Sequence, residues 1–259
     1  MGALLGRPHC VQAGPGDRRV HHERERVDEP GEEELAHGRD RAGDRDVAPL
    51  ALLQPPQEVV EVAPGIKQMR WLFNGQAPGP TLRGKVGDKF KITIKNEGSM
   101  AHSIDFHAGE VNPDKTMKSI QPGEELTYKF TANRSGIWMY HCSTMPMSAH
   151  IAAGMFGALI VAPADLPTVD RQYVLVQSET YLAEQNNQPV DTGKIADEKV
   201  DLTMFNGHAN QYLFAPLQAR VGERVRFWVL AAGPSGGTSF HVVGSQFDTV
   251  YKEGGYLLD

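Results

Sequence analysis

The sequence has few cysteines, no long apolar run and no excess of positive charge. Its two cysteines, Cys10 and Cys142, cannot form the disulfide framework on which many small secreted folds depend. No stretch of eighteen or more apolar residues occurs, which excludes a membrane-spanning helix. With a net charge of −6, the chain lacks the excess of positive charge that is typical of nucleic-acid-binding proteins. With 259 residues, 40% of them hydrophobic, the chain fits one or two globular domains.

Residues 1–56 lack the side chains from which a core is built. The first fifty residues contain eight arginines and eleven acidic residues but no lysine, and the first aromatic residue is Trp71. We therefore expect residues 1–56 to be disordered or not a native protein segment, and we assign Cys10 no role. The segment also lacks the apolar stretch of a secretory signal peptide, so no signal peptide can be read from it.

From about residue 57 the pattern is that of short β-strands. Residues 89–95 alternate polar and apolar side chains, and Leu126, Tyr128 and Phe130 alternate again after a turn sequence. Residues 157–161 form an apolar run typical of a buried strand. Because no helical stripe of any length accompanies them, these strands predict an all-β protein made of antiparallel sandwiches or barrels.

An internal repeat predicts two copies of one β-sandwich. The sequence Phe73-Asn74-Gly75 recurs as Phe205-Asn206-Gly207, and residues 82–91 recur as residues 217–226. A chance similarity at one place would mean little. Similar sequences in the same order argue for a duplicated unit.

The repeat sets the expected domain bounds. We divide the chain into the N-terminal segment of residues 1–56, a first domain of residues 57–165 and a second domain of residues 166–259. The second copy is the shorter, since it runs only from Phe205 to Asp259. We therefore expect the second sandwich to stop before its last strands and the chain to be incomplete at its C-terminus.

Four residues have the ligand types of an electron-transfer copper site, which takes a thiolate and two imidazoles in a trigonal arrangement and a more distant thioether. They are His102, Cys142, His150 and Met155. The last three lie on one short stretch, where Met145 and Met147 are rival axial candidates that we expect to line the loop instead. A lone buried cysteine is the competing interpretation, but it leaves the spacing of the other three residues unexplained.

A second pair of histidines alternates with the first set. Neighbouring side chains on a strand point to opposite faces, so His141 should face away from Cys142 and His107 away from His102. Asp105 is two residues from His107 and would share its face. The pattern predicts a second metal position that is held by His107 and His141 and bordered by a carboxylate. Two hydrogen-bonded core histidines are the alternative interpretation.

These residues resemble those of the copper-containing nitrite reductases, a family of two-cupredoxin-domain multicopper oxidases. The similar segments, in chain order, are residues 102–107 (HSIDFH), 140–142 (YHC), 150–157 (HIAAGMFG), 239–244 (SFHVVG) and 247–255 (FDTVYKEGG). The resemblance covers about residues 60–259. It implies two tandem cupredoxin-like Greek-key β-sandwiches, of which the second is truncated here.

The resemblance also implies a role for the first ligand set. His102, Cys142, His150 and Met155 would hold a type 1 copper. That copper would receive an electron from a small redox donor protein, either a cupredoxin or a cytochrome c.

For the second set, the resemblance implies a type 2 copper that is bound by His107 and His141 and takes nitrite as its substrate. Asp105 would pass a proton to the bound nitrite, and His241 of an adjacent subunit would be the second proton-relay group. The implied reaction is the reduction of nitrite to nitric oxide, a step of denitrification. It would take place in a homotrimer that is periplasmic, in the cell envelope or secreted.

The chain departs from the family pattern at one ligand. The resemblance implies a third type 2 histidine from the second domain of a neighbouring subunit, and the repeat offset places it beyond Asp259. His208 is not in register to replace it. We therefore expect an incomplete type 2 site in this chain, with a type 1 site that can survive the loss of activity.

Two other functions remain open. The type 1 set alone would support an electron-transfer copper protein without substrate chemistry. A laccase-like oxidase is disfavoured, because a trinuclear oxygen site needs paired His-x-His motifs and the sequence has none.

Overall fold

The structure, a computed structural model, describes residues 44–46, 50–112, 117–252 and 256–257. These residues belong to one compact unit, residues 40–259. The segment of residues 1–56, which the sequence predicts to be disordered, lies mostly outside the described residues, as does Cys10. Within the described ranges, the helices are all too short to cross a membrane.

Two β-sheets form the first sandwich. The strands of one sheet are β1 (Asp44–Asp46), β2 (Leu50–Ala63), β3 (Ile66–Phe73), β5 (Lys89–Asn96) and β7 (Glu125–Thr131). Those of the other are β4 (Leu82–Lys85), β6 (Asp105–Phe106), β8 (Gly136–His141) and β9 (Phe156–Ala162), in the order β4-β9-β8-β6. In the first sheet β5 is central, pairing with β7, β1 and β2.

The predicted alternation in β5 is confirmed. Phe90, Ile92 and Ile94 are at most 1% exposed, whereas Lys91 is exposed and Thr93 is partly exposed. Full burial of a side chain of this size stabilises the fold by about 1.5–3 kcal/mol. The same apolar cluster reaches Cys142 and Met155, so the core of the first sandwich extends to the predicted copper ligands.

The sheets are mixed, whereas the sequence predicts antiparallel ones. β4 pairs in parallel with β9, and β2 pairs in parallel with β5. Parallel neighbours need a connection long enough to leave the sheet and return, and the chain between β4 and β9 passes through β5 and β7 of the other sheet. Alternation reports which face a strand buries, but it carries no information on the direction of the neighbouring strand.

Regular structure begins before the predicted domain boundary at residue 57. β2 starts at Leu50 and pairs antiparallel with β3, with a register shift between Leu53 and Glu58. The shift spans Pro55 and Pro56, which have no N–H to donate to the ladder. The domain bounds themselves stay predictions.

Three strands in the predicted second domain, residues 166–259, repeat the strand pairing of the first sandwich. They are β10 (Arg171–Thr180), β11 (Leu202–Phe205) and β12 (Val225–Ala231). β10 pairs antiparallel with β11 and parallel with β12, as β2 does with β3 and β5. The remaining described elements are α1 (Met147–Ala152), α2 (Thr192–Ala196), α3 (Gln211–Phe214), a 3-10 turn (His107–Gly109) and the pair β13 (Tyr251–Lys252) and β14 (Tyr256–Leu257).

The repeated Phe-Asn-Gly sequences form the same turn in both units. Asn74 and Gly75 have φ values of 51° and 73°, and Asn206 and Gly207 have φ values of 52° and 85°. Two consecutive residues with positive φ are the signature of a tight hairpin turn, which asparagine and glycine adopt at low cost. The duplicated sequence therefore encodes a duplicated backbone.

A second repeated turn precedes β5 and β12. The Lys85 N–H donates to the Asp88 carboxylate at 3.0 Å, and the Arg220 N–H donates to the Glu223 carboxylate at 2.9 Å. An acidic side chain thus closes the same turn in each unit, which is why Asp88 and Glu223 occupy equivalent positions in the repeat.

Candidate metal centres

Three buried side chains, which we call the thiolate cluster, meet at the end of the first core: His102, Cys142 and His150. The Cys142 Sγ atom lies 3.6 Å from His102 Nδ1 and 3.3 Å from His150 Nδ1. All three ligand atoms lie within 4.8 Å of one another. Metal–sulfur and metal–nitrogen bonds of about 2.3 and 2.0 Å would place sulfur and nitrogen about 3.5 Å apart. The cluster is therefore spaced to hold one metal ion.

Different elements contribute the members of the thiolate cluster. Cys142 follows β8 directly, His150 lies in α1, and His102 forms an isolated bridge with Ile120. Two backbone hydrogen bonds stabilise residues 142–155, which we call the ligand loop. The Cys142 N–H donates to the Met155 carbonyl at 3.0 Å, and the Met155 N–H donates to the His150 carbonyl at 3.1 Å.

Burial distinguishes among the three methionines that were axial candidates. Met155 is fully buried in the same core cluster as Cys142, whereas Met145 is 79% and Met147 37% exposed. Gly154, just before Met155, has a φ of 116°, and a Cβ there would lie 2.9 Å from the Trp71 carbonyl oxygen. The close approach that brings Met155 inward therefore requires glycine.

Burial also sets the protonation of the thiolate cluster. It lowers the pKa of His102 to about 4, with a smaller contribution from nearby His150, and lowers the pKa of His150 to about 4. Both imidazoles are thus neutral near pH 7 and able to bind a metal. Burial raises the pKa of the Cys142 thiol, while hydrogen bonds from Ser103 and Thr144 oppose that shift. A metal cation would displace the thiol proton.

Sequence reasoning missed Trp71 and Ser103. The Trp71 ring centroid lies 4.5 Å from that of His150 and 6.1 Å from that of His102, in edge-on geometry. The Ser103 hydroxyl lies 2.9 Å from the Ser143 hydroxyl, which joins the segments that carry His102 and the ligand loop. The position of Trp71, two residues before the repeated turn, gives no sign that it reaches the histidines.

A second group, the carboxylate cluster, consists of Asp105, His107 and His141, whose ligand atoms lie within 4.8 Å of one another. His107 Nε2 is 3.0 Å from His141 Nε2 and 3.7 Å from Asp105 Oδ2. Asp105 is directly opposite His141 in the β6–β8 pairing, but His107 begins a 3-10 turn rather than continuing the strand. Burial, and then the proximity of His141, lower the pKa of His107.

The backbone orients the buried member of the carboxylate cluster. His141 Nδ1 lies 2.9 Å from the Cys142 carbonyl oxygen, which places a proton on Nδ1 and leaves the Nε2 lone pair facing His107. Each of the two adjacent residues, His141 and Cys142, therefore contributes to a different cluster.

His241 and His208 lie outside both clusters. His241 is exposed in an irregular segment after β12, and His208 forms a bridge with Phe205 in the repeated turn. Over the described residues, neither cluster includes a further histidine. The role of His241 stays a prediction, since the resemblance assigns it across a subunit boundary.

Residues 57–165 match the multicopper oxidase family model. The copper-containing nitrite reductase of Neisseria gonorrhoeae is 34% identical over 216 residues, covering 80% of this chain and 55% of that protein. The copper-containing nitrite reductase of Pseudomonas chlororaphis is 29% identical over 253 residues, covering 81% of this chain and 69% of that protein.

The solved structure of copper nitrite reductase from Nitrosomonas europaea is also similar, with a TM-score of 0.75 and 35% sequence identity. The match covers 83% of this chain and 78% of that chain. The predicted all-β, cupredoxin-like architecture is confirmed by this similarity. The chain spans about half the length of the Neisseria relative that it matches.

Proposed function

Because the chain belongs to the copper-containing nitrite reductase family, we propose that it uses copper to reduce nitrite to nitric oxide. The reaction consumes nitrite, one electron and two protons and gives nitric oxide and water. The observation that carries this proposal is the placement of the His141 and Cys142 side chains in two separate clusters.

The thiolate cluster is proposed as the point of electron entry. His102, Cys142, His150 and Met155 would hold a type 1 copper there, and His107 and His141 would hold a type 2 copper in the carboxylate cluster. Copper, when bound, would supply one-electron redox chemistry at the first centre and Lewis acidity at the second. Burial of the thiolate cluster excludes water, and the hydrogen-bonded ligand loop limits rearrangement of the ligands when the charge changes.

The peptide bond between His141 and Cys142 is the shortest covalent path between the clusters. Cys142 Sγ faces His150, and His141 Nε2 faces His107. An electron that enters at the thiolate cluster therefore has a route along one strand end, without crossing a gap between elements.

Proton supply is assigned to Asp105 and His241. Conversion of an oxyanion to a neutral gas takes up protons, so groups that exchange protons must border the substrate. Asp105 borders His107 at 3.7 Å and has a side chain 17% exposed to solvent. His241 would act from an adjacent subunit of a homotrimer, whose neighbour would also supply the third type 2 histidine.

The proposed partners are nitrite and a small redox donor, a cupredoxin or a cytochrome c. We place the protein outside the cytoplasmic membrane, in the periplasm or cell envelope or secreted. This location rests on the resemblance to the family.

A second candidate function is electron transfer without substrate chemistry. It is favoured by one specific observation: the described residues complete the thiolate cluster within one chain, but they bring only two imidazoles to the carboxylate cluster. Nitrite turnover would depend on a ligand from outside the chain, and electron transfer would not.

Copper content, EPR spectra and nitric oxide release separate these functions. A nitrite reductase should bind two copper ions per chain, show a narrow-hyperfine and a wide-hyperfine EPR signal, and release nitric oxide when supplied with nitrite and a reductant. A purified protein with only the narrow-hyperfine signal and no nitric oxide release would rule out the enzyme function and support the electron-transfer one.

A further inference from the structure

We propose that in the unassembled chain Asp105 is a metal ligand, which together with His107 and His141 forms a two-histidine, one-carboxylate site for a divalent cation. The inference rests on the same two histidines as the proposed function, but it differs in the third ligand. That ligand would come from this chain and be a carboxylate, rather than a histidine from a neighbour.

The distances fit three ligands around one ion. Metal bonds of about 2.0–2.1 Å at angles between octahedral and tetrahedral put two ligand atoms about 3.0–3.3 Å apart. The two Nε2 atoms of His107 and His141 are 3.0 Å apart. Asp105 Oδ2 is 3.7 Å from His107 Nε2, so a small change of the carboxylate rotamer would bring it into range.

The position of Asp105 in the sheet supports direct ligation. Asp105 and His141 are opposite each other in the β6–β8 pairing, and their side chains lie on the same face as the His107 imidazole. Within the described part of the chain, the only ion pair of Asp105 is with His107, a member of the same cluster. No lysine or arginine among those residues therefore competes for its carboxylate.

The site has one closed side and one open side. His141 is 5% exposed and is held by the Cys142 carbonyl at 2.9 Å, whereas the His107 side chain is 43% exposed. A metal could thus enter from solvent and keep open coordination positions. Two imidazoles and one carboxylate with open positions suit divalent transition metals such as zinc, cobalt and ferrous iron.

Ligation and proton transfer exclude each other at Asp105. A carboxylate oxygen bound to a cation cannot also carry a proton. A third imidazole that took over the coordination position of Asp105 would release this carboxylate for the proposed proton transfer. The isolated chain and an assembled oligomer would then use Asp105 differently.

Zinc affinity of matched variants tests the inference. The background is Cys142→Ser, which removes the thiolate of the other cluster, and zinc is titrated against a chromophoric chelator. We expect Asp105→Asn to weaken zinc binding by more than the roughly 10–100-fold that loss of an outer-shell partner costs, and a loss within that range would contradict direct ligation. Glu110→Gln is the control, because it removes one negative charge three residues from His107, at a side chain paired with Arg134.

A second measurement uses the unsubstituted thiol in case Cys142→Ser fails to fold. The protein is first loaded with one equivalent of copper(I), which has no visible absorption of its own, and the visible spectrum of added cobalt(II) is then recorded without oxygen, with and without Asp105→Asn. Equal zinc affinities and equal cobalt spectra for Asp105→Asn and Glu110→Gln would overturn the inference. Light scattering identifies the samples in which the chain is unassembled, and the variants are compared in those samples.

Nitrite turnover is read out separately from metal affinity. If Asp105 acts only in proton transfer, Asp105→Asn should abolish nitric oxide release and leave zinc affinity unchanged, which would contradict the inference and support the proposed function. Zinc binding that depends on Asp105, in a protein that never turns over nitrite, would support the inference and contradict the proposed function.

Discussion

His141 and Cys142 are neighbours in sequence, yet their side chains belong to different clusters. The Nε2 atom of His141 is 3.0 Å from His107 Nε2, and the Sγ atom of Cys142 is 3.3 Å from His150 Nδ1. This division follows from the period of a β-strand, in which consecutive side chains leave opposite faces. One dipeptide at the end of β8 thereby connects two candidate metal centres.

Removal of the thiol should abolish the colour of the copper protein. Cys142→Ala eliminates the only sulfur in the thiolate cluster that can donate charge to copper, so the strong visible thiolate-to-copper absorption should vanish. Ser143→Ala, one residue further on, should keep it. The measurement is the visible spectrum of each copper-loaded protein, and colour that survives in Cys142→Ala would refute the ligand assignment.

Replacement of the tryptophan beside His150 should lower the reduction potential of the thiolate-cluster copper. Trp71→Leu removes an apolar ring whose centroid is 4.5 Å from that of His150, which lets water closer and favours the more highly charged oxidised ion. Trp71→Phe keeps an aromatic ring and should shift the potential less. Spectroelectrochemical titration checks the order, and a Trp71→Leu potential equal to or above that of the parent protein would contradict it.

The buried acid Glu179, in β10, should make the free energy of unfolding depend on pH. Glu179 is 3% exposed, its Oε2 atom has no hydrogen-bond partner in the described part of the chain, and burial raises its pKa. A Cβ on Gly233 would collide with this carboxylate, so the loop encloses it tightly. Because the folded protein binds this proton more strongly than the unfolded chain, the favourable contribution is complete below about pH 4.3 and is lost as pH rises through the folded pKa.

Glu179→Gln should therefore stabilise the protein near pH 7 and have little effect near pH 4. Chemical denaturation at the two pH values gives the difference in unfolding free energy. Glu184→Gln, at an exposed position, serves as the control and should show no such pH-dependent gain. An equal effect of Glu179→Gln at both pH values would argue that the carboxylate is solvated.

Replacement of a buried guanidinium should not weaken the fold. Arg70 is 1% exposed, two of its nitrogens, Nε and Nη1, have no hydrogen-bond partner within the described ranges, and Nη2 donates to the Met204 sulfur at 3.7 Å. Burial lowers its pKa to about 10, so the group is still charged near pH 7. Arg70→Met should thus raise the free energy of unfolding by about 1–4 kcal/mol, as apolar replacement of buried charges often does.

Denaturant unfolding measures this change, with Lys129→Met as the control. Lys129 is an exposed cation in β7, and its replacement should alter stability by no more than about 0.5 kcal/mol. A clear loss of stability in Arg70→Met would mean that the guanidinium has a counterion or ordered partner in solution.

Much of the site could be predicted from the sequence because three of the four proposed type 1 copper ligands are close together in the chain. Cys142, His150 and Met155 are fixed by short backbone hydrogen bonds, so their spacing in sequence nearly defines their spacing in space. The opposite directions of His141 and Cys142 were likewise predictable from strand alternation. His107 reached the expected place by a different path, since a 3-10 turn and not an extended strand carries it.

Contacts between distant segments could not be predicted in this way. The edge-on packing of Trp71 against His150 joins residues that are far apart in sequence, and nothing in the local pattern around Trp71 signals it. The sequence favours Met155 over Met145 and Met147 as the axial ligand, but how deeply each methionine is buried depends on packing.

The sequence by itself determined the residue types of both clusters, the faces of the strands and the duplicated turns, because each of these depends on chemistry or geometry within a few residues. The tertiary structure alone decided which strands are parallel, how Asp105 meets His107 and His141, and which buried charged groups have atoms without a hydrogen-bond partner among the described residues. Those features arise where separate segments pack together, and the free energy of packing depends on partners that no local pattern specifies.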